Sequence, residues 1–593
     1  MSVLCETSAP TGTPPASGQT SGDSPTSAGS AAPTAPAAPP VCRRCQWLTG
    51  AVVAMGSVFL LALCVWLYTR NNAFPISWHP DEPSKTDQVI DDYRNFKHPQ
   101  LLLEATRLAV RWLDVRREHQ AVGETGRLVS AVFAAGAAVC MAITGYLAGG
   151  LTGFVLAGLA TAFCPPLLVY AHYMKEDSVL VFGLCLTVLA TKVFCDVRHP
   201  AARALSLVFL GAACGTAASA KYSGVYALAA AVPLLLVARP WRWFSPAVRV
   251  LTVVLAAAAV FAVVNHRIFK DGVSLRNIAD LPWPQRYLRP QFIEGFTYER
   301  DHGVTQHHGL TMDKPNLYSV RSLVRQCMPG VLALAGLSVV LLAALVRRSG
   351  LWDWYVLLFA GGYLLLMSWC VIPQGRYVLP VVVLVHLLAA LAGVRLMQLL
   401  GRWWRPAAAF GPVLVLALVA AGLIPRCVDF LEQFRDDSRA RLRTWVRQNV
   451  RSGQTIVQDA YCELPAWFGP SSGENWRYIR VRTGPQPLKQ APGAGSLESL
   501  YESGVRYVAV TDLAYGRYFE PDVKPVESER RNFERARQWY KDLFEKHELV
   551  WESRPKHPTL AFTNPTIRVY RLRPPVQPAA RPAAGATRPA PGQ

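Results

Sequence analysis

Charged residues are scarce in this sequence: they make up 17% of the 593 residues, while 51% are hydrophobic. The sequence lacks a P-loop, and no GxGxxG stretch opens a helix after a strand. It also lacks a basic stripe with interleaved aromatic side chains, so the formal charge of +21 does not indicate a nucleic-acid channel. These absences argue against a nucleotide-binding protein and against a nucleic-acid partner.

The sequence shows no disulfide framework, because its thirteen cysteines are scattered and several lie inside apolar runs. Cys42 and Cys45 form a CxxC, but no second pair follows at the spacing of a zinc ribbon. We interpret this pair as chance or as a lipidation site beside the membrane.

Apolar runs of about twenty residues recur through the middle of the chain, which is typical of a polytopic membrane protein. The run at Trp47–Tyr68 is long enough to span, so we interpret it as an uncleaved first helix rather than a signal peptide. About eleven transmembrane helices are predicted, at 47–68, 124–148, 151–171, 177–196, 204–220, 222–238, 248–265, 328–346, 352–372, 378–398 and 407–426.

The arginines between these runs predict the topology. Arg43 and Arg44 precede the first span and indicate a cytoplasmic N-terminus. With alternating sides, the basic clusters of four later connections also fall in the cytoplasm, which makes the topology self-consistent. The long loops 69–123 and 266–327 and the chain after about residue 427 then lie outside, as in a multi-pass protein of a bacterial inner membrane.

Composition divides the chain into four predicted parts. Residues 1–41 and 574–593 are rich in Ala and Pro and are predicted to be disordered tails, the first of them cytoplasmic. Residues 42–426 are predicted to form a transmembrane catalytic domain. Residues 427–573 alternate strand-like and helix-like segments and predict an extracytoplasmic α/β domain. The predicted fold is therefore an α-helical polytopic membrane protein with a C-terminal α/β domain.

Two adjacent carboxylates, Asp81 and Glu82, follow the first span in a turn bounded by Pro80 and Pro83. Mutual repulsion drives neighbouring carboxyl groups toward different protonation states, which suits a general base. The alternative is a solvated turn. Just beyond it, Leu101–Trp112 places its apolar and charged residues on separate faces, which predicts an amphipathic helix at the membrane interface.

Further polar residues map to the same outer side. Lys175, Glu176 and Asp177 form either an interfacial cap or a second acidic element that orients a sugar or assists a metal. Lys221 either snorkels to the interface or pairs with a lipid-borne phosphate. Arg376, next to Tyr377, offers its guanidinium fork to a phosphate or to a lipid headgroup.

The loop at 266–327 concentrates acidic residues and histidines, including His307 and His308. Their spacing does not match HExxH or a closed zinc site. Three interpretations remain for this loop: contact with a substrate, metal binding, or simple solvation.

Acids and cations on one side of a membrane suit a reaction in which a hydroxyl acceptor attacks a sugar carried on a lipid phosphate. The competing interpretation is a secondary transporter with an outward-facing charged cavity. Transporters place charges at the midplane and commonly contain inverted repeats, and this sequence shows few charges within its apolar runs and no repeat.

Four motifs in order resemble those of the GT-C glycosyltransferases. They are the Asp-Glu pair after His-Pro with a following His98-Pro99, the Lys-Glu-Asp-Ser-x-Leu-x-Phe run at 175–182, the Gly-rich stretch 215–224 with Lys221, and Arg-Tyr-Val-Leu-Pro at 376–380. The resemblance is to the dolichyl-phosphate-mannose protein mannosyltransferase-like branch and its bacterial relatives that transfer aminoarabinose. It covers about residues 47–426.

The resemblance implies that Asp81 is the catalytic base and that Glu82 supports it. It also implies a polyprenyl-phosphate sugar donor and inversion of the anomeric centre, with a protein, lipid or glycan as acceptor. It does not imply a particular cofactor. The family is mixed in its metal requirement, so the resemblance does not decide whether a divalent cation is needed. We expect Lys221, Arg376 and Lys175 to bind the donor phosphate, and the expected substrate-binding residues are Glu176, Asp177, His307, His308 and Tyr377.

Overall fold

The computed structural model describes residues 43–74, 79–238, 244–269, 287–307, 309–344, 350–372, 374–403, 405–451, 453–459, 461–465, 467–468, 479–483, 496–556 and 560–574. The tail 1–41, nearly all of 574–593, and His308 lie outside the described residues, and so do the predictions made for them. By internal contacts the chain divides into two units, Met1–Ala51 and Val52–Gln593.

Among the described residues, fifteen α-helices lie between Arg43 and Arg435. They are α1 (Arg43–Tyr68), α2 (Glu82–Ile90), α3 (Leu101–Trp112), α4 (His119–Ala162), α5 (Pro165–Ala171), α6 (Glu176–Asp196), α7 (Pro200–Ala220), α8 (Tyr226–Val237), α9 (Pro246–Val264), α10 (Pro290–Val304), α11 (Tyr318–Gln326), α12 (Pro329–Ala344), α13 (Leu351–Ser368), α14 (Leu379–Trp403) and α15 (Arg405–Arg435).

Within the described part of the chain, seven helices are long and apolar enough to cross a membrane, or eight if the bent pair α11 and α12 is one span. Each of the eleven predicted spans overlaps a helix. The count is lower partly because two predicted spans merge into the 44-residue α4, whose backbone leaves helical geometry at Gly149 and Gly150. Tyr222–Val237 is shorter than the other spans. The chain is a multi-pass integral membrane protein.

The most enclosed of the described spans is Gly375–Arg402. In its apolar 18-residue segment, 94% of the residues are buried. Its Val, Leu and Ala side chains pack against α4, α12 and α15, because an apolar surface on every side needs helical neighbours on every side. Its first turn carries Arg376, so the best-buried helix of the membrane part also positions a site residue.

The helix predicted at Leu101–Trp112 is present as α3. Leu102 and Val110 are buried against the membrane part, whereas Leu108 and Trp112 are exposed. The position of this helix at the membrane interface stays a prediction.

A six-stranded mixed sheet lies between residues 455 and 571. Its order is β3-β4-β2-β5-β8-β7, in which β4, β2 and β5 are parallel and the flanking pairs are antiparallel. The strands are β2 (Thr455–Gln458), β3 (Trp467–Phe468), β4 (Ile479–Thr483), β5 (Val505–Thr511), β7 (Glu548–Ser553) and β8 (Ile567–Arg571), while β1 (Leu310–Thr311) pairs separately with β6 (Lys524–Pro525).

Helices α16 (Ser438–Asn449), α17 (Leu497–Glu502), α18 (Asp512–Tyr515) and α19 (Arg530–Lys546) accompany the sheet. The predicted strands at 455–458, 505–511, 549–552 and 566–572 and the charged helix near 529–546 are confirmed. Strands β3 and β4 were not predicted. The α/β character expected for this part of the chain is therefore present.

The connection between β7 and β8 reaches the membrane part, and we call its residues 560–564 the strap. The Tyr170 hydroxyl donates a hydrogen bond to the Leu560 carbonyl at 2.9 Å. The hydroxyls of Tyr173 and Thr563 lie 2.6 Å apart. The strap thus fastens the sheet to the turn that precedes Glu176 and Asp177.

Candidate active site

Asp81 lies immediately before α2, where Pro83 favours the start of a helix. Its carbonyl accepts the Lys85 amide at 3.1 Å, whereas its carboxylate makes no hydrogen bond to the end of the helix. The side chain is 46% exposed and faces a cavity. The carboxylate is therefore held at a helix start but stays accessible to a substrate.

The Lys175 ammonium, which is 1% exposed, donates a hydrogen bond to the Asp81 carboxylate. Burial raises the pKa of Asp81, but Lys175 and neighbouring charges lower it more, so that the pKa lies well below its ordinary value. Burial likewise lowers the pKa of Lys175, but the carboxylates of Asp81 and Glu176 together outweigh it, and the net pKa is raised. Both groups are charged at neutral pH.

His79 connects this pair to Arg376. Its Nδ1 lies 3.7 Å from the Asp81 carboxylate, and its Nε2 contacts the Arg376 guanidinium. Burial holds the pKa of His79 well below its ordinary value, so the ring is neutral. The ring of Phe562, in the strap, packs edge-on against His79 with centroids 4.6 Å apart.

Glu82, although adjacent to Asp81, is buried and faces away from the cavity. Its two carboxylate oxygens accept hydrogen bonds from Arg127 Nε at 3.2 Å and Nη2 at 2.9 Å, and one also accepts the Met174 amide at 2.9 Å. A bidentate Arg–carboxylate pair fixes geometry as well as charge. Glu82 thus ties the Asp81 turn to α4 and to the turn before Lys175.

The other predicted acids are paired with lysines. Glu176 accepts a hydrogen bond from Lys85, and Asp177 accepts one from Lys221 at 2.9 Å. The Lys221 ammonium also lies 4.2 Å from the centroid of the Tyr377 ring, a cation–π contact. Glu176 and Lys85 are 91 residues apart in sequence, and Asp177 and Lys221 are 44 residues apart. Packing of the helices brings these side chains into contact at the ends of α6 and α7.

A cavity of about 330 Å³, which we call the first chamber, brings part of this set together. Its wall includes the predicted residues Asp81, Glu176, His307, Arg376 and Tyr377. Lys175, Asp177 and Lys221 are not on the wall but lie behind it, where they contact wall residues. Glu82 is also absent from the wall, and His308 lies outside the described residues.

The first chamber contains residues that the sequence did not single out as site residues. Lys85 was detectable, since it follows Asp81 by four residues and so shares its side of the helix. His98 and Glu299 also line the chamber, with His98 Nδ1 3.9 Å from the Glu299 carboxylate. Burial raises the pKa of Glu299. No local sequence pattern indicates that Glu299 lies beside His98.

The part of the chain after residue 427 contributes Tyr461, Arg517 and Phe562 to the first chamber. These three side chains reach the chamber because the sheet packs on the membrane part. Sequence patterns describe periodicity within an element, and they carry no information about such docking.

No group of three or more His, Cys, Asp or Glu side chains able to hold a metal ion occurs among the described residues. Four carboxylates at the site, those of Asp81, Glu82, Glu176 and Asp177, instead meet a Lys or Arg. This donor set fits ion pairing better than metal ligation, so we assign no step to a metal.

No protein-family model and no curated protein matches this chain. Among solved structures, it is similar to ArnT from Cupriavidus metallidurans bound to undecaprenyl phosphate, at 14% identity over 89% of this chain and 100% of that chain, with a TM-score of 0.46. It is similar to the Archaeoglobus fulgidus oligosaccharyltransferase at 11% identity, over 78% and 70% of the two chains, with a TM-score of 0.46.

A shorter similarity, over 36% of this chain and 32% of the other, is to the S. cerevisiae protein O-mannosyltransferase Pmt1-Pmt2 complex bound to the sugar donor, at 19% identity with a TM-score of 0.28. These proteins are of the kinds that the four sequence motifs resemble. The likeness concerns the fold alone, and sugar and acceptor do not follow from it.

The first chamber combines three chemical capacities. Asp81 presents an ionised carboxylate that can accept a proton. Arg376 presents a guanidinium that can bind an anion in a site shielded from bulk water. Glu176 and Glu299 present oxygens that can accept hydrogen bonds from hydroxyl groups.

Proposed function

We propose that this protein is a membrane glycosyltransferase that moves a sugar from a polyprenyl-phosphate donor to a hydroxyl acceptor on the outer face. The observation that carries the proposal is the half-exposed, ionised Asp81 carboxylate, which shares one chamber with Arg376. One group suits an incoming hydroxyl, and the other suits a departing phosphate.

In the proposed reaction the acceptor oxygen forms a bond to the anomeric carbon while the bond from that carbon to the phosphate oxygen breaks. The bonding electrons leave with the polyprenyl phosphate, and the acceptor proton passes to Asp81. Attack opposite the leaving group inverts the anomeric centre. A carboxylate of low pKa can take this proton because the hydroxyl becomes strongly acidic as the new bond forms.

Arg376 is the residue that we assign to direct contact with the donor phosphate, since it lines the chamber. Lys175 and Lys221 act from behind the wall. Lys175 keeps Asp81 ionised, and Lys221 neutralises Asp177 and lies against Tyr377. They still raise the positive potential felt by a phosphate, because charges in a low-dielectric wall are weakly screened.

Glu82 is a positioning residue in this proposal, because its carboxylate is occupied by Arg127 and Met174. Glu176, His307 and Tyr377 lie on the chamber wall and are candidates for contact with sugar hydroxyls. The Asp177 carboxylate forms an ion pair with Lys221, so we do not assign it a contact with the sugar. The proposed orientation keeps the N-terminus in the cytoplasm and residues 427–573 outside, in a bacterial inner membrane.

The test is mass spectrometry of glycoconjugates and of lipid-linked sugars from cells that produce either the full-length protein or its Asp81→Asn variant. We expect one glycoconjugate to lose a sugar residue in the variant, while the corresponding polyprenyl-phosphate sugar accumulates. General-base loss typically costs about 10²-fold to 10⁴-fold in rate.

The matched control is Asp87→Asn, which makes the same chemical change on the same helix. Asp87 is 41% exposed and pairs with His119 rather than with a chamber residue. This control should retain the wild-type glycoconjugates. Identical glycoconjugates in cells with wild-type protein and with Asp81→Asn would refute the proposed function.

A further inference from the structure

A second chamber of about 360 Å³ adjoins the first, between the turn at 374–376 and the segment 512–523. Six residues line both chambers and so form the neck between them: His307, Gln374, Arg376, Tyr461, Arg517 and Phe562. Two of the six carry a permanent positive charge. Arg376 comes from the membrane part, and Arg517 comes from the turn after α18.

Arg517 is the cation of this pair that lacks a counter-charge. It makes no ion pair with any carboxylate among the described residues, whereas Arg376 meets Asp177 at 3.9 Å and Lys85 contacts Glu176. Leaving a guanidinium without an anion in a partly desolvated cavity is costly. An unpaired Arg at a cavity neck therefore indicates that the anion comes with a ligand.

Arg517 is also held in place with donors to spare. Its Nη2 donates to the Tyr461 hydroxyl at 3.3 Å and to the Leu513 carbonyl at 3.2 Å. Its Nη1 and Nε have no hydrogen-bond partner within the described residues. Two fixed donors with no partner on the protein match the two-point geometry with which Arg binds phosphate.

Arg376 has spare capacity as well. Its Nη1 contacts His79, and its buried Nε lies 3.9 Å from the Asp177 carboxylate, beyond hydrogen-bond distance. This ion pair is longer than an ordinary charge-assisted hydrogen bond, so the guanidinium keeps the capacity to bind a second anion.

We propose that the neck is an anion-binding site in which Arg517 and Arg376 together take the phosphate of the lipid carrier. This inference rests on the proposed function and adds to it a binding residue from outside the membrane part. The neck joins the Asp81 chamber to the second chamber, so the phosphate lies beside the base but not in its place. Docking of the sheet then completes the donor site.

The test measures binding of undecaprenyl phosphate, and of undecaprenol as the phosphate-free probe, to the full-length protein in neutral nanodiscs. The variants are Arg517→Gln and Arg517→Lys, with Glu520→Gln as the matched control from the second chamber. We expect Arg517→Gln to weaken binding of undecaprenyl phosphate by roughly 10-fold to 100-fold and Arg517→Lys to weaken it less. Glu520→Gln should stay within about twofold, because removing a negative charge does not oppose an anion.

The outcomes separate the two proposals. Wild-type preference for undecaprenyl phosphate over undecaprenol, with an unchanged affinity in Arg517→Gln, overturns the inference but leaves the proposed function standing. No wild-type preference for the phosphate overturns both. A competition arm adds phosphatidylglycerol to the nanodiscs: equal competition by this lipid would identify a general headgroup site and would also overturn the inference.

Discussion

Lys175 and Asp81 are 94 residues apart in sequence, and the buried ammonium of one contacts the half-exposed carboxylate of the other. The lysine immediately precedes α6, and the aspartate immediately precedes α2. Their contact determines the protonation state of the proposed base. Because burial alone raises the pKa of Asp81, the low pKa depends on the cations, with Lys175 foremost.

Replacing Lys175 with Gln should move the acidic limb of the pH–rate profile upward. The pKa of Asp81 is depressed in the folded protein, so the wild-type base stays ionised until the pH falls well below the ordinary carboxyl value. Removing Lys175 takes away the strongest of the charges that lower the pKa of Asp81, so this pKa rises. We expect kcat/KM to fall at a pH at least about one unit higher than in the wild type, measured from pH 4 to 8.

The control for this variant is Lys192→Gln, which removes a lysine from the other end of α6 that pairs with Asp196. Its acidic limb should coincide with that of the wild type. An unchanged limb in Lys175→Gln itself would show that Lys175 does not set the protonation of the base.

The Glu82–Arg127 pair predicts a large loss of stability when one partner is removed. Glu82 is 3% exposed and Arg127 5%. Glu82→Gln leaves a buried guanidinium without its carboxylate, which typically costs about 3–5 kcal/mol. We expect a clearly lower Tm in detergent, together with lost activity, because the Asp81 turn loses its tie to α4. The double variant Glu82→Gln/Arg127→Met should recover part of the Tm.

The exposed pair Arg116–Glu118, with side chains 82% and 61% exposed, supplies the comparison. Glu118→Gln should change stability by less than about 1 kcal/mol, since exposed ion pairs contribute little. Equal Tm values for Glu82→Gln and Glu118→Gln would contradict the structural role given to Glu82.

The helices of the membrane part and much of the soluble sheet could be predicted, because their signals are local. Apolar runs predict spans, and alternating patterns predicted β5 and β8. The hairpin in α4 was predicted as two spans, which its non-helical residues Gly149 and Gly150 support. Strand β3 is only two residues long, too short for a periodic signal. Strand β4 is as long as β8, so its length does not explain why it was missed.

The site could be predicted only in part, for a physical reason. The predicted topology places Asp81, Lys175, Lys221 and Arg376 on one side of the membrane, but it does not say which cation meets which acid. That pairing depends on helix packing. The expected partner of Asp81 was Glu82, but in the structure Lys175 contacts Asp81, and Glu82 pairs with Arg127. The contribution of Arg517 depends on docking of the sheet, for which no residue pattern exists.

The strap residue Phe562 should control the protonation of His79, because its ring covers the imidazole at a centroid distance of 4.6 Å. Burial lowers the pKa of His79, so uncovering the ring by Phe562→Ala should let that pKa rise toward its ordinary value. His79 would then gain a positive charge beside Lys175 and Arg376 as the pH falls through about 6. We expect a kcat about tenfold lower at pH 6 than at pH 8, whereas the wild type loses little.

Phe562→Leu, which keeps an apolar cover, should restore most of the wild-type profile. Parallel pH profiles for Phe562→Ala and the wild type would limit the strap to a purely structural role.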